Sequence, residues 1–110
     1  MPMQRCCPPG RVTTRTFDRE ATILKAIADS YRLRILATLA RASDPVCVCD
    51  FTEALPLNQP TVSHHLRMLR DAALVTCERR GTWVYYQLAP NAMRRVEAAI
   101  ATVFQGKLAA

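Results

Sequence analysis

Leu57-Asn-Gln-Pro-Thr-Val-Ser-His-His-Leu-Arg-Met-Leu-Arg-Asp71 is the stretch whose reading decides the fold. Asn58 can accept a hydrogen bond from a free N–H of a first helical turn, and Pro60 falls where a missing N–H costs little, so a helix opens here. On a helical wheel Val62, His65, Leu66 and Leu69 share one side, and Thr61, His64, Arg67 and Asp71 the other. The segment therefore has one stripe to bury. Its opposite face of hydroxyl, imidazole and guanidinium groups is offered to a partner.

Upstream, residues 46–55 read as a short helix with Phe51, Ala54 and Leu55 as its apolar contacts, and Pro56-Leu57-Asn58 is a tight connection. Two short helices joined so briefly form a helix-turn-helix. Further back, Asp18 and Glu20 open a first helix over 18–28, with Ile23, Leu24 and Ile27 at helical spacing. Asp29-Ser30 starts a second, in which Leu33, Ile35, Leu36 and Leu39 are expected inside and Arg32, Arg34 and Arg41 outside. Residues 1–16, with three prolines and a glycine and no sustained period, read as an arm bearing Cys6 and Cys7, and 17–110 as the folded domain.

Downstream, residues 74–78 and 83–88 are rich in strand formers and flank a basic turn, Arg79-Arg80-Gly81-Thr82. A two-stranded hairpin at this place is the wing of a winged helix-turn-helix, with Arg79 and Arg80 at its tip. Cys77, within it, is expected to be a small buried residue. A last helix from Asn91 to about Gln105 carries Met93, Val96, Ile100, Val103 and Phe104 on one stripe. Apolar helices at both ends exceed what one small core can use, so the expected fold is mainly α with a β-hairpin, a homodimer through the first and last helices.

At 110 residues the chain is one domain. Its net charge is +6, and only Lys25 and Lys107 among its fifteen basic residues are lysines. Arginine's planar fork suits phosphate and guanine edges, which points to nucleic acid. No apolar run reaches the roughly 18–20 residues of a membrane helix, and the N-terminus has no apolar signal core, so a cytoplasmic protein is expected. Five cysteines there are not a disulfide framework. Clustered as Cys6-Cys7 and Cys47-Val-Cys49, they point to metal or metalloid chemistry.

Four segments together resemble the ArsR/SmtB family of metal-sensing repressors: Ala26 to Leu36, Cys47-Val-Cys-Asp50, Asn58 to Leu74, and Arg79 to Tyr86. The resemblance implies a homodimeric winged helix-turn-helix that binds palindromic double-stranded operator DNA and leaves it when an effector binds. It places DNA contacts at Gln59, Thr61, Ser63, His64 and Arg67 of the recognition helix and at Arg79 and Arg80 of the wing. It implies no catalytic residues and no enzyme activity. A thiol redox enzyme or metallochaperone using Cys-Val-Cys is the alternative of a different class. It would need an acid or base near the thiols, yet the only histidines, His64 and His65, sit on the reading helix.

Thiolates prefer As(III), Sb(III), Cd(II) or Pb(II). Within a regular helix the Cys47 and Cys49 sulfurs would diverge, but they can converge if Cys47 lies at or before the first turn. Thr52, three residues beyond Cys49, is a poor ligand. The resemblance then implies that Cys6 or Cys7, from the arm of the other subunit, completes the site. Three sulfurs suit As(III) or Sb(III), and four would favour Cd(II) or Pb(II).

Overall fold

The computed structural model describes residues 12–105. Helix α1 (Asp18–Ile27) leads through Asp29 into α2 (Ser30–Arg41). A two-residue strand β1 (Val46–Cys47) runs directly into α3 (Val48–Ala54), followed by α4 (Gln59–Asp71). The hairpin β2 (Val75–Arg80) and β3 (Trp83–Leu88) precedes α5 (Ala92–Phe104). The expected fold class is observed, with one addition and several changes of facing.

The addition is β1. Residues 46–55 do not form one helix: Val46 pairs with Tyr86 and Cys47 with Tyr85, making a three-stranded antiparallel sheet in the order β1-β3-β2. Asp44-Pro45 end the preceding loop, and β3 offers an unpaired edge that two extended residues can fill. Between β2 and β3 the turn is shorter than expected. Arg79 and Arg80 are strand residues opposite Val84 and Trp83, so only Gly81-Thr82 turn, with Gly81 at φ 63 in the first central position that a primed hairpin turn requires.

The core is where α2, α4 and the base of the hairpin meet: Ile35, Val62, Leu66, Leu69, Leu74 and Val75 are all but inaccessible to solvent. Helix α4 ends with Leu74 N–H donating to Leu69 carbonyl at 3.0 Å and Ala73 N–H to Arg70 carbonyl at 2.8 Å. This is a Schellman closure with alanine, at φ 61, in the left-handed position usually held by glycine.

In α2 the facing of two residues is corrected. Leu33 is half exposed, at 52%, while Arg32, expected outside, is 8% exposed. Arg32 is tolerated inside because every donor nitrogen finds an acceptor: Nε donates to Ala26 carbonyl at 2.6 Å, Nη2 to Lys25 carbonyl at 3.1 Å, and Nη1 to His65 Nδ1 at 2.9 Å. The guanidinium thus closes the C-terminal carbonyls of α1 and ties them to α4. Asp29 caps α2, accepting from the N–H groups of Tyr31 and Arg32. Those bonds, the Arg32 N–H foremost, hold its carboxyl below the usual range.

Helix α5 packs on α1, with Ala99 buried beside Ile23, while Ala92 is buried toward α2, and it turns large residues outward. Met93 and Phe104 are 71% and 82% exposed, and Ile100 and Val103 are also open to solvent. Beside them Leu36, Ala37, Ala40, Leu88, Met93 and Val96 line an apolar recess of about 250 Å³. Among the described residues no helix is long and apolar enough to cross a membrane.

Candidate functional site: a reading helix beside a thiol pair

The α3–α4 pair is held as a rigid corner. Phe51 of α3 and its C-cap Leu55 join Val62, Leu66 and Leu69 of α4 in the core, and Asn58 Oδ1 caps α4 by accepting from Thr61 N–H at 3.0 Å. His65 lies inward as its place on the wheel required. Because guanidinium nitrogens only donate, its Nδ1 must accept from Arg32, which fixes the neutral ring with its proton on Nε2. Burial pushes its pKa below the ordinary value, and the Arg32 and His64 charges add to this against the pull of Asp29.

The open side of α4 is centred on His64, Arg67 and Asp71, all exposed. Gln59 is exposed at the first turn, and Thr61 and Ser63 are half-buried on the two flanks. Arg70, not singled out from the sequence, is exposed one turn beyond Arg67 on the Gln59–Ser63 flank, and the helical spacing 59, 63, 67, 70 could have found it. Its Nη1 lies 3.7 Å from Cys77 Sγ. That corrects Cys77: it is exposed on the hairpin, not buried. Cys77 pairs with Tyr86 across the ladder, so the two share one face of the sheet, and it is the larger Tyr86 ring that is buried there.

On the wing, Arg79 is exposed, whereas Arg80 is engaged. Arg80 Nε and Nη2 donate to the Glu78 carboxylate at 3.2 and 3.3 Å, and its guanidinium lies 4.7 Å from the centre of the Tyr85 ring. The same bond holds the Glu78 carboxyl below its usual range.

The thiols are brought together. Cys47 is not inside the helix but is its N-cap, in extended conformation, and Cys49 follows in the first turn. Cys49 Sγ stands 2.7 Å from Cys47 Sγ, and Cys49 N–H donates to the same sulfur at 3.4 Å. Cys47 is buried and Cys49 exposed. The hydrogen bond to Cys47 pushes the Cys49 thiol up to about 11, helped by partial desolvation and by the neighbouring Asp50 charge. Among the described residues no third Cys, His, Asp or Glu joins the pair to make a metal-sized cluster. Thr52 is no substitute, because its hydroxyl donates to Val48 carbonyl at 3.1 Å. Cys6 and Cys7 lie outside the described residues.

The pair opens into a cleft of about 370 Å³ between α3, α4 and the wing. Cys47 and Cys49 form one wall, Gln59 and Ser63 of α4 a second, and Trp83 and Tyr86 of β3 a third. Ser63, left between the two faces by the wheel, thus borders the thiol cleft as well as the outer face.

Comparison with known proteins follows the same lines. The family described as "Bacterial regulatory protein, arsR family" matches residues 29–76, from the cap of α2 to the start of β2. A relative from Staphylococcus aureus, "Arsenical resistance operon repressor", is 44% identical over 73 residues, covering 66% of this chain and 68% of that one. The chain belongs to the arsR family. "Arsenic resistance transcriptional regulator ArsR1" from Pseudomonas putida is 42% identical over 76 residues, covering 69% of this chain but only 59% of its own length. Among solved structures, the fold resembles a Mycobacterium bovis protein described as a homodimeric winged helix-turn-helix DNA-binding domain and possible ArsR-family transcriptional regulator. That likeness has a TM-score of 0.63 at 33% identity over 80% of each chain. The arsR family is one of DNA-binding transcriptional regulators, not of enzymes.

Proposed function

We propose that this arsR-family protein is a homodimeric repressor that binds palindromic operator DNA through α4 and the wing and releases it when As(III) or Sb(III) is held by cysteine thiolates. The observation that carries this reading is the convergence of the Cys47 and Cys49 sulfurs at the N-terminus of the helix that braces α4. Two thiols supply two of the three bonds of a trigonal metalloid, and Cys6 or Cys7, reaching from the second subunit, supplies the third. A bond between arm and α3 shifts or stiffens the corner that aims α4. A tenfold loss of operator affinity needs only about 1.4 kcal/mol of differential binding.

On the output side, Arg67 and His64 stand at the centre of the exposed face, with Gln59 and Thr61 at the helix N-terminus able to meet phosphate or base edges. Arg79 is the free charge of the wing, while Arg80, shared with Glu78, contributes less. The dimer is supported by the outward-facing Met93, Ile100, Val103 and Phe104 of α5, which a second copy covers.

A gel shift against the DNA upstream of the protein's own coding region, with and without arsenite, Cd(II) and peroxide, tests this reading. Release by arsenite supports it. Release by Cd(II) alone moves the effector to Cd(II) or Pb(II), release by peroxide alone makes the thiols a redox sensor, and no shift at all removes the repressor reading. Deleting residues 1–10 should weaken the arsenite response, and an unchanged response would exclude Cys6 and Cys7.

A further inference from the structure

From the operator-binding reading given above, on which this rests, we infer that Arg70 is a DNA-backbone contact. Cys77 holds its guanidinium at the junction of α4 and the wing, ready to take a phosphate of the strand that passes between them.

Restraint comes first. Arg70 Nη1 lies 3.7 Å from Cys77 Sγ, and a thiol is only a weak acceptor. A guanidinium has five N–H donors in a rigid fork, so one such contact orients it and leaves the other donors free. Arg80 shows the contrast: its Nε and Nη2 are given to Glu78, and among the described residues that is the only ion pair. Asp71, next to Arg70 in the chain, does not pair with it. Arg70 therefore keeps its charge for a partner outside the chain, with less side-chain freedom to lose when that partner arrives.

Placement comes second. Arg79, two residues along β2 from Cys77, lies on the same sheet face about 7 Å nearer the turn, and Glu78 and Arg80 lie on the opposite face. Burial, and then the Cys77 charge, push the Tyr86 phenol up from its ordinary value, while the Arg70 and Arg67 charges pull against them. Both helix guanidiniums thus stand near one ring. Arg67, Arg70 and Arg79, all exposed, form a single cationic row from α4 onto the wing.

Fit comes third. A recognition helix meets base edges with its N-terminal residues, here Gln59 and Thr61, whereas Arg70 is in the last turn of α4. With α4 in the major groove and the wing on the flanking backbone, a sugar-phosphate strand crosses the junction between them. Two phosphate oxygens match the guanidinium fork, and a contact there fixes register without reading sequence.

The test uses the full chain and fluorescent DNA from upstream of its own coding region, with anisotropy read between about 50 and 200 mM salt. Arg70→Ala should lower the slope of log affinity against log salt by about 0.9 for each subunit engaged, and weaken binding to operator and to scrambled DNA by the same factor. Arg70→Lys should keep the slope, because the charge remains. Arg34→Ala, the same charge removed from the exposed side of α2, should leave it nearly unchanged. Cys77→Val should raise the operator Kd about threefold with the slope retained, the scale of one side chain left to be ordered on binding, and should add nothing in an Arg70→Ala background. Cys77→Ser, whose hydroxyl still accepts, should restore most of that loss. An unchanged slope for Arg70→Ala overturns the inference, as does a loss confined to operator DNA, which would make Arg70 a base reader. A Cys77→Val loss that persists in the Arg70→Ala background overturns the positioning role of Cys77. Failure of the unaltered protein to bind its operator would remove the operator reading itself, and this contact with it.

Discussion

Replacing Arg32 by methionine keeps its length and apolar stem and removes three hydrogen bonds. The bond to Lys25 carbonyl is the least costly, since that oxygen also accepts from Ala28 N–H at 3.3 Å. The bonds at 2.6 Å to Ala26 carbonyl and 2.9 Å to His65 Nδ1 leave buried acceptors behind. At about 1.5–3 kcal/mol for a bond from a charged donor, Arg32→Met should cost about 3–4 kcal/mol. That is a large share of the roughly 5–15 kcal/mol typical of a domain. With a urea m-value of about 1.5 kcal/mol/M, the midpoint should fall by roughly 2 M at fixed protein concentration, which matters for a dimer. Arg32→Lys, one point donor in place of a fork, should recover less than half. Adding His65→Leu to Arg32→Met should cost less than the two single changes together, because the orphaned acceptor is gone. A loss below about 1 kcal/mol for Arg32→Met would show that this cluster does not hold α1 to α4.

Ala73 sits at φ 61, where an L side chain costs about 1–2 kcal/mol; glycine's extra freedom when unfolded returns part of this, so Ala73→Gly should stabilise by about 0.5–1 kcal/mol in the same urea assay. His65 is neutral in the fold with its pKa lowered, so the unfolded chain takes up the proton first. Stability should therefore be level above about pH 6.5 and fall as pH drops below it, and His65→Gln, whose amide oxygen can still accept from Arg32, should show a smaller fall between pH 7 and 5. Cys49, raised to about 11, is protonated near neutrality. Cd(II) must expel that proton, so its affinity by competition titration should rise about tenfold per pH unit for this thiol alone, while arsenous acid, which carries the proton away as water, should bind with nearly level affinity between pH 6.5 and 8. Arg67→Ala should lower the salt slope of operator binding by about one, and Arg80→Ala by less, because Glu78 already shares its charge.

The periodic parts of this chain were legible before the fold was. Val62, His65, Leu66 and Leu69 lie inward because a 3.6-residue repeat leaves them no other face, and Asn58 and Asp29 cap their helices as their oxygens suggest. Arg32 and Leu33 were exchanged because polarity was read without partners: nothing local tells that α1's last carbonyls and a histidine thirty-three positions away converge on one guanidinium. Strand β1 escaped for a similar reason. Two residues carry no period, and it is the free edge of β3 that makes Val46 and Cys47 extended. That same pairing turns Cys47 into a cap and brings its sulfur to Cys49, so the geometry of the thiol pair depends on a contact across forty residues. Cys77 and Arg80 show the other limit: an exposed thiol beside Arg70 of α4, and an arginine held by Glu78 two residues back on its own strand and by the Tyr85 ring on the next, are decided by side-chain placement that carries no period.

In the function proposed here, the Cys47–Cys49 pair decides when α4 reads DNA. Operator affinity by fluorescence anisotropy, with and without arsenite, for the unaltered protein and for Cys47→Ser/Cys49→Ser tests it most directly. Equal affinity is expected for both proteins without arsenite, and at least a tenfold loss on adding arsenite for the unaltered protein only. A double variant that still leaves its operator on arsenite addition would contradict it.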